Sequence, residues 1–301
     1  MDIGASVLTK LRNKAKETGK PLQLYLQLLC QEEFLRRLSL SKYVDNFILK
    51  GGLFIYVLTN FESRATIDVD FLVRRLSGAI DVIKKAIDEI IDVNTGNDFI
   101  VLKAEKYDKI SPLRKYNGIS FKLKGQIKNT ITPFNVDIGI GDVVIPGVRK
   151  MEVATQLAGF TKPQIGTYSI ESTIAEKLEA IIQRLELTSR MKDFYDIYYL
   201  AHQFNFDGEE LKSAIQNTLK TRETACSADS LSKILAFDKN LSMKKMWELF
   251  LKQLKVDSLN FEEMIDFVGI FLTPIWDGIF KESKLKIKWN GEKQEWCDAR
   301  E

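Results

Sequence analysis

Between Phe47 and Val73 the chain carries its most restrictive pattern. An apolar run, Phe47-Ile48-Leu49-Lys50, meets the pair Gly51-Gly52, and a second apolar run bears acids at alternate positions, Ile67-Asp68-Val69-Asp70-Phe71. Short alternating runs of this kind read as β-strands, because successive side chains leave a strand on opposite faces. Asp68 and Asp70 are therefore expected on one face, with Ile67, Val69 and Phe71 turned into a core. Two carboxylates one strand repeat apart, roughly 7 Å between Cα atoms, can hold a divalent cation between them. Glycines let the backbone come close to a triphosphate and offer N–H groups to its oxygens. The pattern calls for a sheet with one polar face suited to phosphate chemistry, and it suggests nucleotidyl transfer.

The rest of the chain divides into two kinds of pattern. Residues 5–19 and 21–45 have helical spacing, the second with Leu24, Leu28, Leu29, Phe34 and Leu35 on a stripe. Phe99–Ala104, Ile119–Lys124 and Phe134–Ile140 read as further strands, Ile80–Val93 as a helix, and from about Ile170 onward the patterns are almost wholly helical. A soft boundary falls within Glu152–Gly166, so we expect two domains, residues 1–155 and 156–301. Asp137, in Phe134-Asn135-Val136-Asp137-Ile138, is a third candidate acid. It joins the Asp68/Asp70 pair at a metal if its strand lies beside theirs, and is turn chemistry next to Gly139 and Gly141 if it does not.

Several chemistries are excluded by what the chain lacks. His202 is the only histidine, which rules out a histidine-rich metal site and leaves any Ser-His-Asp or Cys-His mechanism dependent on one residue. Cys30, Cys226 and Cys297 are scattered and odd in number, which fits a reducing compartment better than a disulfide framework. The longest apolar run, Phe267–Trp276, is about half the ~20 residues of a membrane span. With no secretory leader in the Met-Asp-Ile-Gly start, we expect a cytoplasmic protein with no membrane partner. The net charge of +3 is too near balance to identify a nucleic-acid partner. Lys10, Arg12, Lys14, Lys16 and Lys20 form a basic N-terminal arm, which is either a solvated helix face or an RNA contact.

In the helical half, Thr173-Ile174-Ala175-Glu176 has capping-box spacing and is expected to open a helix carrying Leu178, Ile181, Ile182 and Leu185. Lys177 would then sit one turn in, against the helix dipole, with Arg184 two turns on along nearly the same face. A phosphate-binding lysine would produce that local conflict. Ser189–Leu200 reads as a further helix with Met191, Phe194, Ile197 and Tyr198 toward the core and Asp193 and Asp196 on the other side. Those acids either complement the helix N-terminus or orient Lys177.

Taken in order, Leu35-Arg36-Arg37-Leu38-Ser39, Leu49-Lys50-Gly51-Gly52, Arg64-Ala65-Thr66-Ile67-Asp68-Val69-Asp70, Ala175-Glu176-Lys177-Leu178 and Arg190-Met191-Lys192-Asp193-Phe194-Tyr195-Asp196 resemble the AbiEii/AbiGii-type nucleotidyltransferase toxins. These belong to the DNA polymerase β-like nucleotidyltransferase superfamily and occur in abortive-infection and toxin–antitoxin pairs. The resemblance implies an α/β (α+β) bilobed protein, with an N-terminal polymerase β-like lobe built on a mixed sheet and a C-terminal helical lobe. It implies a site in the cleft between them. Asp68, Asp70 and Asp137 match the metal-binding and catalytic carboxylates, and Gly51 and Gly52 match the phosphate loop, with Arg64 and Thr66 beside it for the nucleotide. Lys177 and Asp193 match the later motifs, Asp196 competing for the second role. The loop reads Gly-Gly where many superfamily members have Gly-Ser, and fifteen residues, more than is usual, separate Gly52 from Asp68.

By the same resemblance the cofactor is Mg²⁺ or Mn²⁺, the substrate a nucleoside triphosphate, the acceptor RNA at the 3′ end of tRNA, and a cognate antitoxin is a partner. The sequence adds to the RNA expectation only the basic arm and the lysines Lys281, Lys284, Lys286 and Lys288, which equally suit an exposed strand face. Two alternatives differ in class: nucleotidyl or phosphoryl transfer to a protein or small molecule, and a catalytically inactive nucleotide- or RNA-binding module. Thr66, two residues before Asp68 and expected on the same strand face, is also a candidate for inactivating phosphorylation, since a phosphate there would repel a triphosphate.

Overall fold

The computed structural model describes residues 2–110, 118–184, 190–256 and 259–299, and the chain forms two compact units, Met1–Gly141 with Val148–Tyr168, and Asp142–Gly147 with Ser169–Glu301. Leu185 and Ser189 lie outside the described residues.

In the first unit, helices α1 (Ile3–Thr18) and α2 (Leu22–Leu40) lead into strand β1 (Phe47–Lys50) and helix α3 (Gly51–Leu58). Then come β2 (Asp68–Val73), α4 (Ile80–Ile91), β3 (Val101–Ile110), β4 (Gly118–Ile127), β5 (Thr130–Ile140), β6 (Arg149–Glu152) and β7 (Gln164–Thr167). They form one seven-stranded mixed sheet in the order β3-β4-β5-β2-β1-β7-β6. β2 runs parallel to β5 and β1 parallel to β7, and the remaining neighbours are antiparallel. The apolar residues of β2 and β5 meet α2: Phe34 lies 5.9 Å from Phe71 and 6.5 Å from Phe134 between ring centroids. α4 buries Ile83, Ala86, Ile87, Ile90 and Ile91, a 3,4-spaced stripe.

α2 is buried nearly all round, beyond the stripe read from its spacing. The charges this takes inside are matched. Arg36 pairs with Glu32 and Glu33, each at 2.5 Å, and donates to the Thr161 carbonyl at 2.8 Å. In the basic arm, Lys14 donates to the Gln156 carbonyl at 2.7 Å and is structural, whereas Lys10, Arg12, Lys16 and Lys20 are exposed.

In the second unit, α5 (Ile170–Arg184), α6 (Met191–Gln203), α7 (Gly208–Thr221), α8 (Ser230–Leu235), α9 (Leu241–Leu254) and α10 (Phe261–Phe280) are joined by a small antiparallel sheet. Its strands are β8 (Phe206–Asp207), β9 (Ile287–Asn290) and β10 (Glu295–Asp298), in the order β10-β9-β8. The almost wholly helical expectation missed this sheet. Its anchor is Trp289, buried against Phe271 and donating to the Ala201 carbonyl at 2.6 Å. Lys281, Lys284, Lys286 and Lys288 are exposed, but only Lys288 lies on a strand, β9, so the stretch does not form the single strand face its alternation suggested. No described helix is long and apolar enough to cross a membrane.

Candidate active site

The sheet register assembles the site in the first unit. Asp70 on β2 stands beside Asp137 on the parallel β5, and Asp68 beside Asn135 one rung away. Across β1 the partner of Asp70 is Lys50, and across β4 the partner of Asp137 is Ser120. Residues paired across strands share a face. Lys50, Asp70, Asp137 and Ser120 therefore line one rung, while Val69, Phe71, Val136 and Ile138 fill the opposite, buried face. Ser120 Oγ donates to Asp137 Oδ1 at 2.6 Å, and Asn135 Nδ2 donates to Asp68 Oδ1 at 3.3 Å. The conditional expectation for Asp137 is met: its strand does lie beside that of Asp68 and Asp70. Ile67, expected in the core, is instead 54% exposed. The strand begins one residue later, and the Ile67 carbonyl accepts from Gln31 Nε2 at 2.5 Å ahead of the ladder.

The glycine pair opens α3 rather than forming an extended loop. Gly51 has φ +68°, and a Cβ there would lie 2.1 Å from Asp70 Oδ2, so both its backbone and the adjacent carboxylate demand glycine. A Cβ on Gly52 would come 3.0 Å from Thr66 Oγ1. Thr66 thus sits against the helix start and not on the Asp68 strand as expected, since β2 begins at Asp68. Arg64 lies half-buried in the segment between α3 and β2.

Lys50 is the residue that sequence reasoning passed over. Its Nζ lies 5.2 Å from the Tyr168 ring centroid and 3.5 Å from where a Cβ on Gly139 would be, so the missing side chain at 139 makes its room. The available signal was a lysine closing an apolar strand directly before the glycine pair.

Among the described residues no group of three or more His, Cys, Asp or Glu gathers in a metal-holding arrangement. What the register brings together is the adjacent pair Asp70 and Asp137, with Asp68 one rung along. This donor set, completed by Ser120 and Asn135, is entirely oxygen. It fits Mg²⁺, which is commonly held by one or two carboxylates with the remaining positions left to water and substrate phosphates. The other reactive side chains are engaged elsewhere. Burial against Gly125 pushes the Cys30 thiol up to about 12, far from a reactive thiolate. His202 Nδ1–H donates to the Tyr198 carbonyl, 2.9 Å away, and its ring lies 3.9 Å from that of Phe267.

In the second unit, Lys177 Nζ lies 3.2 Å from Asp193 Oδ1 and 2.5 Å from Asp196 Oδ2, and Arg190 pairs with Asp193. Both acids are buried, against the expectation that they face away from the core. A partner sixteen residues upstream of Asp193 provides the compensating charge. The cap is also displaced. α5 starts at Ile170, Ser169 Oγ accepts from Ser172 N at 3.0 Å, and Thr173 Oγ1 donates back to the Ser169 carbonyl at 2.9 Å. Lys177 therefore sits about two turns in, beyond the strong part of the helix dipole, and the two carboxylates account for its placement.

Burial raises the Asp193 pKa, but the Lys177 ammonium and the Arg190 guanidinium outweigh it and hold the carboxyl down to about 2, from an ordinary 3.8. A depressed carboxyl contributes stability that is complete above its unfolded value and is lost as pH falls through its folded value. Asp193 should thus contribute about 2 kcal/mol at neutral pH, disappearing between roughly pH 4 and 2. Urea titrations of wild type and Asp193→Asn across that window should converge as pH falls; parallel curves would refute the assignment.

The family model described as "Nucleotidyl transferase AbiEii toxin, Type IV TA system" matches residues 33–267. Two solved Helicobacter pylori structures are similar in part. The crystal structure of JHP933 is 16% identical with a TM-score of 0.46, covering 86% of this chain and 94% of its own. A candidate nucleotidyltransferase is 16% identical with a TM-score of 0.44, covering 85% and 95%. No curated protein matches. The family match spans well over half of the chain and includes the strands and helices that carry both charge clusters, and on that ground the protein is a nucleotidyltransferase belonging to the AbiEii toxin family of type IV toxin–antitoxin systems.

Proposed function

We propose that the protein transfers a nucleotide from a nucleoside triphosphate to RNA, at the 3′ end of tRNA, with a divalent cation held at Asp70 and Asp137, and thereby blocks translation. Family membership implies the triphosphate substrate and a cognate antitoxin; the RNA acceptor follows the AbiEii/AbiGii resemblance. The observation that carries the chemistry is the rung Lys50, Asp70, Asp137, Ser120, placed directly against the Gly51–Gly52 start of α3.

The reaction joins an acceptor hydroxyl oxygen to the α-phosphorus, breaks the bond from that phosphorus to the bridging oxygen, and releases pyrophosphate. Asp70 and Asp137, with Asp68 close by, would hold Mg²⁺ or Mn²⁺, which would supply Lewis acidity toward the phosphate oxygens and the attacking hydroxyl. The Gly51 and Gly52 amides, at a helix start, receive phosphate oxygens, with Thr66 against Gly52 and Arg64 as a further nucleotide contact implied by the resemblance. Ser120 orients Asp137 by donating to Oδ1, and Asp137 takes the proton of the attacking hydroxyl. Lys50 adds positive charge to the same face. By the AbiEii/AbiGii resemblance, Lys177, which Asp193 and Asp196 hold in the second unit, is a phosphate-binding point charge.

The test is incubation of the purified protein with Mg²⁺, total tRNA and each α-³²P-labelled nucleoside triphosphate in turn, followed by a denaturing gel. Label on tRNA is the expected result and names the nucleotide. Label that appears only on protein or small molecules would overturn the RNA acceptor, and no metal-dependent turnover at all would point to an inactive binding module.

A further inference from the structure

The face that bears Asp68, Asp70 and Asp137 continues across two more strands. On β4, Lys122 stands beside Asn135 and Lys124 beside Pro133 of β5; on β3, Lys106 stands opposite Lys122 and Lys103 opposite Lys124. Because cross-strand partners share a face, these four lysines extend the carboxylate face outward, while the alternating residues Tyr107, Phe121 and Leu123 turn to the other side. Lys103, Lys106 and Lys122 are exposed and Lys124 is half-buried.

Like charges placed directly opposite each other destabilise a strand pair, yet this sheet keeps two such pairs side by side. Protection of an exposed edge accounts for lysines on β3, the outermost strand. It does not account for Lys122 and Lys124, because β4 is paired on both sides. Nearby acids temper the charge only in part: Glu105, at the bulge between Ala104 and Lys106, pairs with Lys124 at 2.9 Å, and Asp108 pairs with Lys106 at 2.9 Å. Solvent-exposed pairs of this kind contribute little and exchange readily for phosphate.

We propose that Lys103, Lys106, Lys122 and Lys124 form the track along which the acceptor RNA runs, their ammonium groups neutralising backbone phosphates and leading the strand to the carboxylates. This rests on the RNA acceptor proposed above and adds where the polymer is held. The contact is to phosphate, so it sets affinity and placement without reading sequence.

The experiment measures binding of fluorescein-labelled total tRNA to the full-length protein, to Lys122→Gln/Lys124→Gln and to Lys103→Gln/Lys106→Gln, across a salt series. Each double variant should weaken binding roughly tenfold or more near 0.1 M salt and flatten the slope of log K against log salt by about 1.4, the contribution of two phosphate contacts. Affinity for fluorescent analogues of the four ribonucleoside triphosphates, and the melting temperature, should stay at wild-type values. If wild type binds tRNA and both variants match it in affinity and slope, the track is wrong while the RNA acceptor stands. If wild type binds nucleotide but not tRNA, the acceptor is wrong and the track falls with it. Loss of nucleotide affinity in the variants would assign the lysines to the triphosphate and overturn the proposal.

Discussion

Asp70→Ala should lose nucleotide transfer by about a hundred- to a thousandfold, the scale of removing a group that meets charge developing in the transition state. The fold should remain. Asp70 lies on the polar side of β2, and the alternate residues Val69 and Phe71, both fully buried, carry the packing. Three features of its surroundings make Asp70 the most sensitive position: Asp137 stands beside it, Lys50 opposite it, and Gly51 is left without a side chain against its carboxylate. Asp70→Asn, which keeps the shape and removes the charge, should be nearly as inactive if the carboxylate's role is to hold a cation. The readout is label transferred per minute at saturating Mg²⁺, with circular dichroism and thermal melting as the fold control. A folded Asp70→Ala protein with wild-type turnover would remove Asp70 from the site altogether.

A comparable loss, in stability rather than activity, is expected from Arg222→Met. Arg222, just past α7, pairs with Asp142 at 3.1 Å, Glu176 at 2.5 Å and Glu179 at 2.8 Å, and Thr224 donates to Glu179 at 2.6 Å. Burial pulls the guanidinium pKa down, but the acids around it outweigh burial and hold it above its ordinary value. Without the arginine, Asp142 and Glu179, whose side chains are 4% and 3% exposed, lose the guanidinium they share. Removing one partner of a buried ionic group costs about 3–5 kcal/mol, whereas replacing the whole group with neutral residues is often close to neutral. Urea unfolding should show that loss for Arg222→Met and recover most of it when Asp142→Asn, Glu176→Gln and Glu179→Gln are added. A single variant within about 0.5 kcal/mol of wild type would mean that the cluster carries no stability.

Elements with a strong local period were legible before the structure. The strands around Phe47, Asp68 and Phe134 and the helix from Ile80 all lie within a few residues of their expected bounds. Errors arose where two residues offer the same local chemistry or where a partner is distant in sequence. Ser169 and Thr173 are both hydroxyl residues ahead of an apolar run, and only packing shows that the helix begins at the first. Charged residues are placed outside by default; Asp193 and Asp196 are inside because Lys177, on another helix, neutralises them. β8 and β9 were missed because two to four residues carry too little period to outweigh the helices around them.

The sequence by itself determined that Asp68 and Asp70 share a face, that a glycine pair directly follows the Phe47–Lys50 strand, and that no histidine-rich metal site is available. These are consequences of the strand repeat and of residue order and inventory. Only the tertiary structure decided that β2 lies between β1 and β5, which puts Asp137 and Lys50 on either side of Asp70 and carries the same face out to the lysines of β4 and β3. Strand partnership depends on how separate segments bury their apolar faces together, and residues far apart along the chain are matched by that burial rather than by any pattern within either segment.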